Sequence, residues 1–195
     1  GGNASYSGAI TLGAAASIIT TNSGSMTLSG NMSGNFLLTL GGTGTGTYSG
    51  IRSGTTAADL TKSGTGTWTL SGVNTNTGLT TVSAGILEFG VANTLVRTSS
   101  EGIQLGGGVL RTGSGAGYTV GSSGTPIATG LNIQGSSTIA FGTGSHTLAL
   151  ATSTALDWIT DGSQLTITGW TGGYDGTSGT AGKLFVGSST SGLTG

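Results

Sequence analysis

The chain has 195 residues, a formal net charge of −1, and five lysines and arginines that lie far apart in the sequence. Binding to nucleic acid or to an anionic membrane surface needs clustered Lys and Arg, so the composition argues against both functions. The absence of cysteine excludes disulfide and thiolate chemistry. No apolar run approaches about eighteen residues, so we expect no membrane-spanning helix.

Glycine accounts for 42 residues, and serine and threonine supply roughly another third, far above their usual share. Such chains are often flexible linkers or disordered segments, which normally combine high net charge with few β-branched residues. Here the charge is close to zero, and the hydrophobic residues, 34% of the chain, occur in short and regularly interrupted groups. This pattern favours an ordered β structure.

The hydrophobic groups predict short strands separated by Gly, Asn or Ser, and glycine is too frequent for stable helices. In chain order the predicted strands are Ala9–Leu12, Ser17–Thr20, Ser25–Leu28, Asn35–Leu40, Thr67–Leu70, Thr80–Val82, Ile86–Phe89, Ile103–Leu105, Val109–Arg111, Leu131–Ile133, Thr138–Phe141, Thr147–Leu150, Leu156–Ile159, Leu165–Thr168 and Leu184–Val186. The segment Gly44–Ala58 breaks the rhythm and is interpreted as a loop or irregular coil.

Repetition favours a β-solenoid over the alternative, a β-sandwich with Greek-key links. Thr27-Leu28-Ser29-Gly30 recurs as Thr69-Leu70-Ser71-Gly72, and Ala84-Gly85-Ile86-Leu87 is echoed by Gly107-Gly108-Val109-Leu110. These spacings fit coils of roughly 20 residues each. Apolar residues alternate with Thr or small residues, which predicts a narrow core on one side and solvent on the other. We therefore expect one parallel β-helix domain over residues 1–195, with glycines at its corners.

The segment Leu60–Gly72, together with Thr80–Leu87, resembles the autotransporter-associated β-strand repeat of exported Gram-negative bacterial proteins. The match is strongest over residues 60–90, with a degenerate copy at Ile10–Gly34 and further strands at Gly102–Gly113. Residues 156–195 resemble the closing region of large exported repeat proteins. The resemblance implies a right-handed parallel β-helix outside the cell, acting in adhesion, surface layers or matrix, and it implies no catalytic residues. We expect either a released passenger fragment or a free-standing secreted relative.

Three features are candidates for chemistry, and each has a simpler interpretation. Asp157 and Asp161 would lie about 13 Å apart on a strand, too far for the carboxylate pair of a glycosidase, so we interpret them as solvated acids. Gly172–Gly176 is one imperfect copy of a calcium-binding motif that works in tandem, and a Gly-rich turn explains it as well. His146 has no second His or Cys to share a metal, and we expect it at the surface or a strand edge.

The tryptophans could stack on sugars or pack in the core. Core packing or a cap is the preferred interpretation for Trp68 and Trp158. Trp170 lies between Gly-rich turns, and Trp170 and Tyr174 are the candidate ligand contacts.

Thr-x-Thr steps suggest a face that orders water and binds ice. They occur at Thr43/Thr45/Thr47, Thr65/Thr67/Thr69 and Thr166/Thr168. Because they do not recur at every coil, ordinary outward Thr is the preferred interpretation.

The sequence therefore predicts a non-enzymatic, extracellular structural protein with no metal and no cofactor. It would be a β-solenoid subunit of a surface fibre, adhesive layer or biofilm matrix, associating head to tail with copies of itself. The alternative is a monomeric adhesin or carbohydrate-binding passenger that recognises surface glycans. A polysaccharide-cleaving enzyme ranks third.

Overall fold

The computed structural model describes residues 2–20, 24–55, 57–91, 102–113, 119–120, 130–142, 146–150, 162–169 and 183–186. Within these ranges the chain forms strands, turns and bends but no helix, and every strand pairing is parallel. The predicted all-β solenoid is confirmed. Its right-handed sense, the usual one for parallel crossovers, and its single-domain organisation stay predictions.

The described strands are two to five residues long. They are β1 (Asn3–Tyr6), β2 (Ile10–Thr11), β3 (Ala16–Thr20), β4 (Ser25–Leu28), β5 (Met32–Ser33), β6 (Leu38–Gly42), β7 (Thr45–Tyr48), β8 (Leu60–Lys62), β9 (Thr67–Leu70), β10 (Thr80–Val82), β11 (Ile86–Phe89), β12 (Ile103–Gly106), β13 (Val109–Arg111), β14 (Thr119–Val120), β15 (Leu131–Gly135), β16 (Ser137–Ala140), β17 (Thr147–Leu150), β18 (Leu165–Thr168) and β19 (Lys183–Val186).

Successive coils contribute their strands to the same sheets. An eight-stranded sheet, here sheet 1, has the order β1-β4-β7-β9-β11-β13-β16-β18. A six-stranded sheet, sheet 2, has the order β15-β12-β10-β8-β6-β3. Two smaller sheets, β2-β5 and β14-β17-β19, contain strands that each follow a strand of sheet 1 in the chain, and we call their position the remaining face.

Coil length is close to the predicted value in the first half and grows later. Bonds between neighbouring coils join Arg52 to Asn74, 22 positions apart, and Asp59 to Leu79, 20 positions apart. Near the far end the bond from Gln164 to Ser136 spans 28 positions. The repeated Thr-Leu-Ser-Gly motif lies two coils apart, since Leu28 pairs with Tyr48 and Tyr48 with Leu70.

The core is a set of side-chain columns that run through the coils. Its members include Leu28, Tyr48, Leu70 and Phe89, which follow one another along sheet 1 and are almost completely buried. Because parallel strands pair in register, each inward residue packs against the equivalent residue of the next coil. The size of one residue therefore limits the size of its neighbours in the column.

Trp68 shows this limit most clearly. It is fully buried and pairs in register with Gly46 of the preceding coil. A Cβ atom added to Gly46 would lie 2.2 Å from Cδ2 of Trp68, so the indole occupies the space that a side chain there would fill. The indole Nε1 also donates a 3.0 Å hydrogen bond to the carbonyl oxygen of Gly41.

Glycine forms the corner between sheet 2 and sheet 1, as the sequence predicts. Gly42, Gly64, Gly85 and Gly107 occupy this corner in successive coils, with φ values of 102°, 67°, 64° and 123°. L-residues rarely adopt this backbone conformation. A Cβ atom at Gly64 would also lie 2.4 Å from the carbonyl oxygen of Gly42.

Most predicted strands agree with the structure, and the interpretation of Gly44–Ala58 as irregular is wrong over its first part. Thr45–Tyr48 is strand β7, which the pattern missed because Gly46 stands where an apolar residue is expected. The predicted set also lacks the strands Asn3–Tyr6, Met32–Ser33, Leu60–Lys62 and Thr119–Val120. The predicted strand Leu156–Ile159 lies outside the described residues.

We expect Gly46→Ala to reduce the free energy of unfolding by about 2–3 kcal/mol, because the added methyl group overlaps the Trp68 ring. The control is Gly106→Ala, whose added Cβ would meet nothing closer than 3.7 Å. Urea denaturation followed by circular dichroism measures both, and Gly46→Ala combined with Trp68→Leu should recover part of the loss. Equal losses in the two glycine variants would contradict the column argument.

Candidate functional site

Several polar and charged side chains are buried in the described part of the chain, which is unusual for a narrow solenoid core. They are Thr20, Arg52, Lys62, Asn74, Asn76, Thr80, Glu88, Thr112, Ser137 and His146. The question for function is whether these groups converge on a site or serve the fold.

Lys62 lies in the core column of sheet 2, between Leu40 and Val82, and is fully buried. Its Nζ donates hydrogen bonds to the carbonyl oxygens of Ser63 at 2.6 Å, Gly64 at 2.8 Å and Ala84 at 3.0 Å. These three bonds use all three donors of the ammonium group. Lys62 therefore joins the corner of its own coil to the corner of the next.

Burial lowers the pKa of Lys62 from 10.5 to about 8. All three of its acceptors are carbonyls, so no carboxylate among them offsets the cost of burying the charge. Gly85 leaves room for the ammonium group, since a Cβ atom there would lie 2.7 Å from Nζ. The lysine and the corner glycines thus form one structural unit.

Arg52 is the second buried cation and lies on the remaining face. Its Nη2 donates to the carbonyl oxygens of Phe36 at 2.6 Å and Asp59 at 3.1 Å, and its Nη1 contacts the sulfur of Met32. Burial lowers the pKa of the Arg52 guanidinium, and burial likewise raises the pKa of Tyr48 to about 12. Arg52, like Lys62, holds backbone carbonyls of neighbouring segments together.

Side-chain oxygens replace backbone acceptors where the coils turn. Oδ1 of Asn31, Asn35 and Asn74 accepts a hydrogen bond from the backbone N–H of a neighbouring coil, and so does Oδ1 of Asp59. Asn74 is buried, and its Nδ2 also donates to the carbonyl oxygen of Gly72 at 3.1 Å. These residues maintain pairing between coils where no regular strand exists.

Glu88 and Arg111 form an ion pair between adjacent strands of sheet 1. They pair in register, and Nε of Arg111 donates to Oε2 of Glu88. The Glu88 side chain is mostly buried, while that of Arg111 is partly exposed. This ion pair connects neighbouring coils.

The Thr-x-Thr steps lie side by side on the outer surface of sheet 1. Thr45 and Thr47 of β7 pair with Thr67 and Thr69 of β9, alternating with buried Gly46 and Trp68. In β11 and β13 these positions change to Ile86 and Glu88, then Val109 and Arg111. The prediction that the steps do not recur at every coil is confirmed, and outward Thr explains them.

The structure settles two of the candidates from the sequence. Trp68 packs in the core, as preferred. His146 was expected at the surface or a strand edge, and the surface alternative is wrong: the side chain is fully buried directly before strand β17, and its Nδ1 lies 3.0 Å from Oγ1 of Thr112. Coil stacking places Thr112 beside it, a contact that a single-sequence pattern does not reveal.

The other candidates lie outside the described residues. These are the ligand-contact candidates Trp170 and Tyr174, together with Trp158, Asp157, Asp161 and the Gly172–Gly176 motif. Their roles stay predictions.

Sequence reasoning missed the structural roles of Lys62 and Arg52, which it treated only as scattered charges. The signal for Lys62 was present, because it stands two residues after Leu60 and therefore on the same, inward face of the strand. In the described part of the chain no three His, Cys, Asp or Glu side chains gather as a metal site would require. No helix suited to crossing a membrane occurs there either.

Lys62 and Trp68 both lie in a segment of the chain that matches a known sequence repeat. Residues 60–89 match the family model described as the passenger-associated-transport-repeat. This confirms the resemblance inferred from the sequence over that segment, which comprises strands β8 to β11. No match was found among curated proteins or among solved structures.

We expect the free energy of unfolding to rise with pH between about pH 8 and 10 through Lys62. Because its folded pKa is about 8 and its ordinary value is 10.5, the unfolded chain binds more protons in this interval. Urea denaturation at about pH 7.5 and 9.5 should show the rise, on the order of 2 kcal/mol. Lys62→Met should remove it, and an unchanged slope in that variant would assign the effect to another group.

We expect Asn74→Ala to cost about 2–3 kcal/mol of stability, because it leaves the buried N–H of Arg52 and the carbonyl of Gly72 without these partners. The matched control is Asn35→Ala, since exposed Asn35 makes the equivalent bond to the N–H of Thr55. Water can replace that bond, so its loss should stay below about 1 kcal/mol. Thermal denaturation compares the two, and a larger loss for Asn35→Ala would refute the assignment.

Proposed function

We propose that this chain is an exported, non-enzymatic structural protein whose β-solenoid forms part of a surface fibre, adhesive layer or biofilm matrix outside the cell. Its subunits associate head to tail. The β-solenoid with a passenger repeat at residues 60–89 is of the autotransporter passenger type, and this supports export.

The use of the charged side chains supports a structural role. Lys62 and Arg52 are buried against backbone carbonyls, Glu88 is paired with Arg111, and Asp59 accepts a hydrogen bond from Leu79. A hydrolytic site needs acids or bases that are free to contact a substrate. The charged side chains named here instead bond to the backbone or to each other.

The observation that carries the proposal is the amino-acid composition of the strands at the ends of the described sheets. Among the described strands, β1 and β18 lie at the two ends of sheet 1, and β3 and β15 lie at the two ends of sheet 2. None of the four contains Asp, Glu, Lys, Arg or Pro. Natural sheets usually protect their edges with such residues, because unpaired N–H and C=O groups form ladders with other chains. End strands of this composition in the described part of the chain suit head-to-tail assembly into open filaments.

The purified 195-residue chain should form unbranched filaments visible by electron microscopy. Since the strands would stack along the axis, fibre diffraction should give a meridional spacing of about 4.8 Å. Sedimentation velocity provides the control at low concentration, where short oligomers should appear before filaments. Monomers that stay dispersed at high concentration would contradict the proposal and favour the monomeric adhesin.

A further inference from the structure

Three polar atoms in the core have no hydrogen-bond partner in the described part of the chain. They are the hydroxyl oxygen of Tyr48, Nε of Arg52 and Oδ1 of Asn76, and each of these residues is only 1% exposed. Buried polar atoms are almost always hydrogen-bonded, because an unpaired one has lost its bonds to water without replacing them. Three such atoms in two neighbouring coils point to a shared partner.

Contacts to one short segment bring Arg52 and Asn76 together. Nη2 of Arg52 donates to the carbonyl oxygen of Asp59 at 3.1 Å. Nδ2 of Asn76 donates to the carbonyl oxygen of Ala58 at 2.9 Å. The backbone N–H of Asn76 also bonds to the carbonyl oxygen of Arg52 at 3.1 Å. Because Ala58 and Asp59 are consecutive, the guanidinium and the side-chain amide lie beside each other where the two coils meet.

The Tyr48 ring enters the same part of the core from sheet 1. Gly50 leaves room for it, since a Cβ atom there would lie 3.0 Å from Cε2 of Tyr48. Burial raises the pKa of Tyr48, and the nearby charge of Arg52 opposes this rise, so the hydroxyl group lies near the guanidinium. The backbone N–H of Met32 is also close to this hydroxyl, but it donates to the carbonyl oxygen of Ile51 at 2.9 Å.

The hydrogen-bonding capacities of the three atoms match one water molecule. Nε of Arg52 can only donate, Oδ1 of Asn76 can only accept, and the Tyr48 hydroxyl can do either. A water molecule that accepts from Arg52, donates to Asn76 and bonds to Tyr48 forms three hydrogen bonds, the usual number for a buried water. An anion such as chloride would satisfy the two donors, but it has no proton to offer the Asn76 oxygen. The chemistry therefore favours water over an anion.

We propose that the core binds one internal water molecule through the Tyr48 hydroxyl, Nε of Arg52 and Oδ1 of Asn76. The water joins two neighbouring coils through side chains that make no direct hydrogen bond to one another among the described residues. It also hydrates part of the buried guanidinium, whose described hydrogen-bond partners are two carbonyl oxygens and a sulfur atom. The site lies inside the solenoid and does not depend on the proposed assembly.

A structure at a resolution that shows ordered water, from crystals or from filaments, tests the site directly. We expect density within about 3.2 Å of all three atoms. Crystals grown with bromide in place of chloride provide the control, because a bound halide would give an anomalous signal at the site. Either the absence of density or a bromide signal there would overturn the proposal.

Tyr48→Phe gives a second test, because the sign of its effect depends on the water. With the water bound, the variant loses a hydrogen bond, and we expect the urea midpoint to fall by about 0.5 M. If the hydroxyl has no partner, the same variant removes an unsatisfied polar group. An unchanged or higher midpoint would therefore contradict the water site.

A double-mutant cycle distinguishes a shared water from two independent effects. Asn76→Leu removes the acceptor, so combining it with Tyr48→Phe should lower the midpoint by less than the sum of the two single shifts. The matched control combines Tyr48→Phe with Lys62→Met, because Lys62 bonds to three other carbonyl oxygens. There the shifts should add, and additive shifts in both pairs would argue against a common partner.

Discussion

In-register stacking of inward side chains is the constraint on which the structure depends. Each core residue packs against its equivalents in the neighbouring coils, so the size of one residue limits the size of its neighbours in the column. The Trp68 indole occupies the space that a side chain at Gly46 would fill. Its hydrogen bond to the carbonyl oxygen of Gly41 fixes its orientation. A solenoid has no alternative packing direction, so a misfit in one column cannot be relieved within the same coil.

The corners impose a second requirement, because backbone groups that leave a sheet lose their ladder partners. Glycines with positive φ turn the chain between sheet 2 and sheet 1, and the Lys62 ammonium holds three of the resulting carbonyls. On the remaining face the Arg52 guanidinium donates to the carbonyl oxygens of Phe36 and Asp59, and the side-chain oxygen of Asn74 accepts from the backbone N–H of Arg52. Few charges are present in this chain, and most of those described hold coils together.

The sequence predicted the solenoid because its repeats are local and their alternation is regular, as in Met26/Leu28 or Trp68/Leu70. It failed where a residue's role depends on another coil. The pattern misses strand β7 because Gly46 is explained only by Trp68 in the next coil, and it does not predict the burial of His146 because Thr112 lies far away in sequence. A single sequence shows how often a column position recurs. It does not show which residues of neighbouring coils are complementary in size or form a hydrogen bond.

The same column constraint makes an open coil end selective. Any sheet edge offers N–H and C=O groups, and backbone pairing alone would accept many strands in several registers. At the end strands of sheet 1 among the described residues, inward Tyr6 and Ile167 are partly exposed, so a strand that paired there would have to fit these side chains as well. A partner that met both conditions would extend the core as well as the ladder. The rule that orders coils within one chain therefore also restricts which strands could pair with an end coil.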